Sequence, residues 1–454
     1  MANPTAPPRA LSVTSDTGLK RVLGLPSLVL FGLVYMVPLT VFTTYGIVAQ
    51  VSGGRVPLAY IVTLAAMVFT ARSYGLMARA FPFAGSAYTY TQRSFGPGIG
   101  FLAGWALMLD YLFLPMINYL VIGIYMGAAF PAIPSWIFIL AAIVLVTVLN
   151  VVGIVSVARA NIVIIALQAV FIVVFVALSI GAISQSGTVD LLAPFSGTGD
   201  PGGFPPVLAG AAILCLSFLG FDSVSTLAEE TRDPKKVVPK AIMLTTVSAG
   251  ILFVALSYVG HLVLPTHAFT NVDSAALDVM AIAGGQFLAA FFTAAYVAGC
   301  IGSALASQAS VSRILYAMGR DNVLPSGFFG RINQRFGTPV LAILTVSVIS
   351  LLALVIDLGL LAEMISFGAL IAFSVVNLSV VKHYFMGENL RKGADLVNHL
   401  IVPLIGFALV IWLWTSLSSR TLVVGLIWLA VGFVYLLVIT RGFRRPTPML
   451  ELKD

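Results

Sequence analysis

Four acidic residues stand inside stretches that are otherwise apolar. Asp110 lies in GWALMLDYLFLP, Asp222 in SFLGFDSVST, Glu229 at the close of the same stretch, and Glu363 near the start of a later one. A charge at such depth is costly and marks function or an internal pair. No lysine or arginine lies at the depth of Asp110 or Asp222. Each must then be protonated, hydrogen-bonded by hydroxyls, or paired with a cationic ligand. Two such acids point to a cation site or a proton relay. Glu229 and Glu230 fall beside Arg232, Lys235 and Lys236, where gating and anchoring are equally open roles. Glu363 reads as a span-end residue.

Two of these stretches also carry helix breakers. GLVYMVPLTVFTTYG, residues 32–46, places Pro38 before a run rich in β-branched residues. Proline removes a backbone donor and clashes with the preceding turn. CLSFLGFDSVS sets Gly220 beside Asp222. Irregular backbone at this depth is tolerated where it lines a protein or water cavity. Interrupted helices in corresponding positions of two halves are a mark of secondary transporters. The breaks fall in the first and sixth apolar stretches, as two five-span repeats of opposite topology require.

The elements that carry these residues follow from composition. Of 454 residues, 59% are hydrophobic and 9% charged, whereas a soluble domain carries about a quarter charged. A soluble enzyme is excluded. Apolar stretches of about 20 residues cross a bilayer as helices, and twelve are expected at 27–50, 56–80, 97–128, 134–154, 159–182, 206–229, 240–263, 284–318, 338–356, 360–384, 398–418 and 421–441. With the N-terminus inside, every lysine and arginine except Arg55 and Arg420 falls on the inner side, including Arg9, Lys20, Arg21, Arg159 and Lys453. This is the positive-inside pattern, so the net charge of +7 sets topology and does not mark nucleic-acid binding. The loops 183–205 and 264–283 hold Asp190, Asp200, Asp273 and Asp278 without a lysine or arginine and should face outside. Cys215 and Cys300 lie in apolar runs, the four histidines are scattered, and no phosphate loop or nucleophile grouping appears. No metal, cofactor, catalytic residue or direct use of ATP is expected.

Three long segments resemble the amino acid–polyamine–organocation (APC) transporters: FPFAGSAYTYTQRSFGPGIGFLAGW (81–105), FLGFDSVSTLAEETRDPKKVVPKAI (218–242) and SQASVSRILYAMGRDNVLP (307–325). The tracts PLTVFTTYGIV (38–48), LDYLFLPMIN (109–118) and SFGALIAFSVVNLSV (366–380) resemble bacterial putrescine importers in particular. The resemblance implies an all-α polytopic membrane protein of the leucine-transporter type, with a 5+5 inverted repeat and broken helices one and six. It divides the chain into a cytoplasmic tail (1–26), a transport core (27–384, repeats about 27–182 and 206–384), two added spans (398–441) and a cytoplasmic tail (442–454). It also implies alternating access, proton-coupled uptake, and an inner-membrane location in a bacterium. By motif position, Pro38 to Thr40 and Phe218 to Asp222 become unwound centres. Asp110 and Tyr111 face substrate from span three, and Ser303 and Ser307 from span eight.

Two departures from the family pattern carry chemistry. Amino acid carriers of this superfamily have a glycine-rich tract in span one whose amides hold the substrate carboxylate, as a helix N-terminus holds an anion. Here the tract is Val37, Pro38, Leu39 and Thr40, without glycine. A diamine needs no such cradle. It needs acceptors at both ends of an apolar middle, with Asp110 and Asp222 expected at the ends and Tyr111, Phe218 and Phe221 around the methylenes. Tyr119 and Tyr296 are weaker candidates. Second, Gln168 occupies the span-five position where some relatives carry lysine, so the proton must ride on an acid: Asp222 first, Glu229 second. The expected function is import of an aliphatic diamine, putrescine foremost, through a lipid bilayer, coupled to protons. The alternative is a permease or exchanger for an amino acid or another organic amine.

Overall fold

The computed structural model describes residues 22–82, 86–153, 157–185, 189–197, 203–320, 323–445 and 447. Arg9, Lys20, Arg21, Asp200 and Lys453 lie outside the described residues, as do the side chain of Arg159 and most of both tails. Eleven helices among the described residues are long and apolar enough to cross a membrane. They are Leu25–Phe42, Val56–Ala80, Pro97–Ala129, Ser135–Val152, Val163–Gln185, Pro205–Glu230, Pro234–Val263, Ala275–Arg320, Leu358–Gly387, Ala394–Thr415 and Ser419–Ile439. The apolar helix Val340–Leu354 takes the ninth place. It is shorter than the sequence suggests because Pro339 stands at its N-cap and its last turn tightens to a 3-10 helix at Leu351–Leu354. The spans are numbered one to twelve in this order.

Breaks and caps follow the sequence signals. Span one stops at Met36. Val37 takes φ 53° and ψ 98°, and Pro38–Phe42 continues as a 3-10 helix before Tyr45–Ser52 completes the crossing. Positive φ on a β-branched residue is a strained conformation, worth about 1–3 kcal/mol, and needs surrounding structure to hold it. Span six tightens to a 3-10 turn at Cys215–Phe218, unwinds over residues 219–222 and resumes as the 3-10 helix Ser223–Glu230. The polar segment 264–283 is not wholly loop: a helix starts at Ala275, and Gly284 and Gly285 separate it from span eight. The helix Ser86–Phe95, in the connection between spans two and three, carries no apolar span signal of its own.

Span six is the centre of the bundle, with 94% of its apolar window buried against 17% for span twelve. Helices in lipid gain from close packing more than from hydrophobic exclusion, so small residues mark their contacts. Gly75 of span two faces Pro239 of span seven, and Gly250 of span seven faces Leu64 of span two. A Cβ on Gly368 of span ten would stand 2.4 Å from the Ala106 carbonyl of span three. Span twelve is fastened by reciprocal indole bonds, Trp105 to the Trp428 carbonyl and Trp428 to the Trp105 carbonyl, each 2.9 Å.

Glu363 has a structural role. One carboxylate oxygen accepts the Ser418 amide at 3.0 Å, the Ser418 hydroxyl, and the Thr421 hydroxyl at 2.6 Å. It therefore ties span ten to the N-terminus of span twelve, where a negative charge is favoured. Arg55 is similarly occupied, donating to the carbonyls of Ser52 at 2.8 Å and Gly203 at 2.6 Å. Asp357 caps span ten by accepting the Leu360 amide at 2.7 Å. Burial and the charge of Asp357 hold the Asp273 carboxyl above the usual carboxylate range. Glu363→Ala should destabilise the protein by about 1–3 kcal/mol through the orphaned donors. The measurement is a lower melting temperature in detergent with ligand affinity unchanged.

Candidate functional site

The two broken helices meet. Gly220 holds φ 126°, and a Cβ there would stand 2.7 Å from the Tyr35 ring and 3.3 Å from the Met36 amide nitrogen. Only glycine lets the span-six backbone lie against the last turn of span one before its break. The interruption of span one is stitched locally: the Thr40 hydroxyl donates to the Met36 carbonyl at 2.7 Å, and the Thr40 amide to the Val37 carbonyl at 2.8 Å. Pro38 thus shapes the break rather than offering a polar contact.

Around this junction the structure gathers the sequence-predicted acids. Asp110 and Asp222 are both buried. The charge of Asp222 acts on Asp110, and both act on the hydroxyls of Tyr35 and Tyr111. Among the described residues neither aspartate forms an ion pair with lysine or arginine. The two carboxylates differ in what already engages them. Asp222 accepts the Gly220 amide at 3.3 Å and the Ser86 hydroxyl at 3.4 Å. Asp110 Oδ1 is buried with no hydrogen-bond partner. Burying such an oxygen costs free energy unless a donor arrives.

A second set of polar groups borders small cavities next to the break. One, of about 40 Å³, is lined by Tyr35, Thr40, Thr43, Asn118, Tyr296 and Ser303 among others. The Thr43 and Tyr296 hydroxyls bond each other. Asn118 donates to the Leu114 carbonyl at 2.7 Å and to the Ser303 hydroxyl at 3.1 Å. The other cavity, about 80 Å³, lies between spans one, five and eight and is bordered by Tyr35, Gln168, Gly299, Ser303 and Ser307. Ser307 therefore borders a different cavity from Asn118, and its hydroxyl bonds the Ser303 carbonyl at 2.7 Å. Gln168 is buried at the span-five position singled out from the sequence, and its Oε1 has no partner.

Phe218 and Phe221 do not border these cavities, and neither do Asp110 and Asp222. Phe218 packs on Phe253 at 5.5 Å and Tyr60 at 6.5 Å, and Phe221 on Phe373 at 5.2 Å and Tyr74 at 5.5 Å. The unwinding of span six rotates both rings into the scaffold, and Leu216 and Leu219 face the smaller cavity instead. Glu229 is half-buried near the end of span six, apart from both cavities. Tyr35, Asn118, Thr43 and Ser86 were not singled out from sequence. Tyr35 and Asn118 could have been found by their spacing, three residues before Pro38 and eight after Asp110. Ser86 could not, because its contact depends on the fold of the connecting helix.

The site is closed on both sides in different ways. Toward the end of the bundle where spans one and two join, Phe42 packs edge-on against Phe175 and Phe292, each at 5.5 Å, and the Tyr125 hydroxyl donates to the Phe42 carbonyl at 2.9 Å. Toward the opposite end, Leu23 forms an isolated bridge with Thr231, and the Val22 and Leu23 amides donate to the Glu230 carbonyl. A further cavity, of about 260 Å³, is lined by Ser86, Tyr88, Thr89, Trp105, Tyr111 and Thr226 among others.

The amino acid permease family model matches residues 27–440. The low-affinity putrescine importer PlaP of Escherichia coli (strain K12) is 41% identical over 446 residues, spanning 96% of this chain and 98% of that protein. The branched-chain amino acid permease BcaP of Bacillus subtilis (strain 168) is 28% identical, spanning 95% of each. Among solved structures, MhsT in complex with L-phenylalanine aligns with a TM-score of 0.61 at 13% identity, covering 88% of this chain and 100% of that one. The fold is thus of the leucine-transporter type.

Gly220→Ala tests the junction. The added methyl meets Tyr35 and the backbone leaves its favoured region, a cost of about 1–3 kcal/mol. The expected outcome is a protein that inserts but melts earlier and binds its ligand at least about tenfold more weakly, because the two breaks separate.

Proposed function

The chain belongs to the amino acid permease family, and from that premise we propose that it is a secondary active importer of an aliphatic diamine, with putrescine as the first candidate, coupled to protons. One observation carries the reading: a buried Asp110 oxygen without a partner, facing the field of a second buried aspartate, with no basic side chain paired to either among the described residues. An ammonium group supplies the missing donors and charge. Tyr35 borders the two small cavities beside the span-one break, and Tyr111 borders the larger one. The resemblance to a putrescine importer supports the same substrate class.

The span-one tract argues against an α-amino acid. Its break is made by Val37 and Pro38, and the Thr40 amide is spent on the Val37 carbonyl. No row of free amides waits for a carboxylate, which would be repelled by the aspartates. The basic-residue asymmetry supports a bacterial inner-membrane protein with both termini in the cytoplasm. Residues about 27–182 and 206–384 would form the two repeats that move against each other, with spans eleven and twelve as additions. Asp222 is the first candidate for the proton and Glu229 the second.

In wild-type protein, putrescine should compete better than n-butylamine, and zwitterionic amino acids poorly. Strong competition by an α-amino acid at putrescine-like concentration would instead support the amino acid permease reading. Asp110→Asn should weaken putrescine binding at least about tenfold, since a hydrogen bond to a charged group contributes about 1.5–3 kcal/mol. The check is calorimetry on protein that retains its wild-type melting profile. A proton and an ammonium compete for the same carboxylates, so wild-type affinity should fall as pH falls, and Asp222→Asn should flatten that dependence. Accumulation in liposomes that follows sodium and ignores the pH gradient would remove the proton from the mechanism.

A further inference from the structure

We infer that Asn118 is the specificity-determining acceptor for the far ammonium of the diamine, so that one end of the ligand is held by carboxylate and the other by a neutral amide oxygen. The inference rests on the diamine reading above. Asp222 is the obvious rival for the second ammonium, but neither it nor its partners Gly220 and Ser86 border the cavity at the span-one break, whereas Asn118 does. It serves the near end together with Asp110.

Asn118 has a defined orientation. The Leu114 carbonyl can only accept, and it lies 2.7 Å from Nδ2, so the nitrogen of the amide must face it. The second amide hydrogen goes to the Ser303 hydroxyl at 3.1 Å. Both donors are spent, and the carbonyl oxygen is left over on a residue that borders the cavity at the break of span one. An acceptor with its donors occupied suits a group that only donates, which an ammonium does. The Thr43–Tyr296 hydroxyl pair and Thr40 border the same cavity.

Spacing adds a length requirement. Asp110 and Asn118 are separated by eight residues of span three, a rise of about 12 Å at the usual helical pitch. Eight residues are a little over two turns, so both side chains leave the same half of the helix. Leu114 lies between them and borders both cavities. An extended four-carbon diamine spans about 6 Å between nitrogens from ordinary bond lengths, and a hydrogen bond of about 3 Å at each end brings the reach to about 12 Å. The apolar middle of the ligand then lies along Leu114.

The test compares ligands and variants on purified full-length protein by calorimetry. Asn118→Leu, nearly the same size, should cut putrescine affinity at least tenfold while n-butylamine, which needs only the aspartate end, binds as in wild type. Asn118→Thr, which keeps an acceptor, should recover part of the preference. An unchanged putrescine-to-butylamine ratio in Asn118→Leu overturns the inference, and so does an equal loss for both amines. A measurement on the wild type stands even if the variants fail to fold. With a neutral acceptor at the far end, 4-amino-1-butanol should bind between putrescine and n-pentylamine, because its hydroxyl still donates. Binding no better than n-pentylamine overturns the inference. Absence of any putrescine binding by wild type would instead refute the diamine reading itself, so the two failures are distinguishable.

Discussion

An ionised carboxylate buried in a bilayer-spanning bundle must be answered by a proton, a dipole or a cation, because desolvation costs several kcal/mol per charge. The two central aspartates are answered differently, and the architecture of the site follows from that difference. Asp222 sits where span six unwinds, so the freed Gly220 amide is available to it. Asp110 sits in the continuous helix Pro97–Ala129, whose amides are committed to the helix ladder, and its Oδ1 receives nothing. A broken helix thus offers its own acid a backbone amide, while an intact helix presents its acid to be answered from elsewhere. The rigid contacts around span three, at Gly368 and at the Trp105–Trp428 pair, keep that presentation fixed.

The membrane-spanning pattern and the positions of the two breaks were legible in the sequence because they depend on local composition. Apolar length alone yields the spans, and Pro38 and Gly220 announce irregular backbone. The centrality of Asp110 and Asp222 was legible for the same reason: an acid in an apolar run stands out. Phe218 and Phe221 pack into the scaffold in this structure, which was not legible because residues beside a helix break follow no fixed period and cannot be assigned a face. Ser86 was invisible for a different reason. Its segment reads as an amphipathic connection, and only tertiary docking brings its hydroxyl to Asp222. Glu363 read as a span-end residue, and its three donors show that such an acid can be a joint between helices.

The two closures differ in chemistry, and that difference bears on movement. On one side, aromatic rings of spans one, three, five and eight interlock with a hydroxyl–carbonyl bond from Tyr125. Such packing is short-ranged, and a gap of about 0.5–1 Å already forfeits a quarter to a half of it. On the other side, a few backbone bonds join the segment before span one to the end of span six. Backbone bonds near an aqueous end exchange for water at little net cost. The latch side therefore has less to lose on opening, and its strap connects directly to both broken helices.

The charge count at the site constrains the direction of coupling. A doubly charged diamine neutralises two carboxylates, whereas the empty site must be neutralised by protons before it can be occluded from water. If the same two acids serve both purposes, protons leave as the diamine enters, and the cycle is an exchange. Co-entry requires a further acid that keeps its proton while the ligand is bound. Glu229 is seven residues beyond Asp222 on the resumed half of span six, about two helical turns away and outside the two small cavities. That separation would let it carry a proton without contesting the ammonium. Proton stoichiometry measured with Asp222 and Glu229 altered separately distinguishes the cases: loss of coupling with Asp222 alone means competition at one centre, and loss with Glu229 alone means a proton that travels with the diamine.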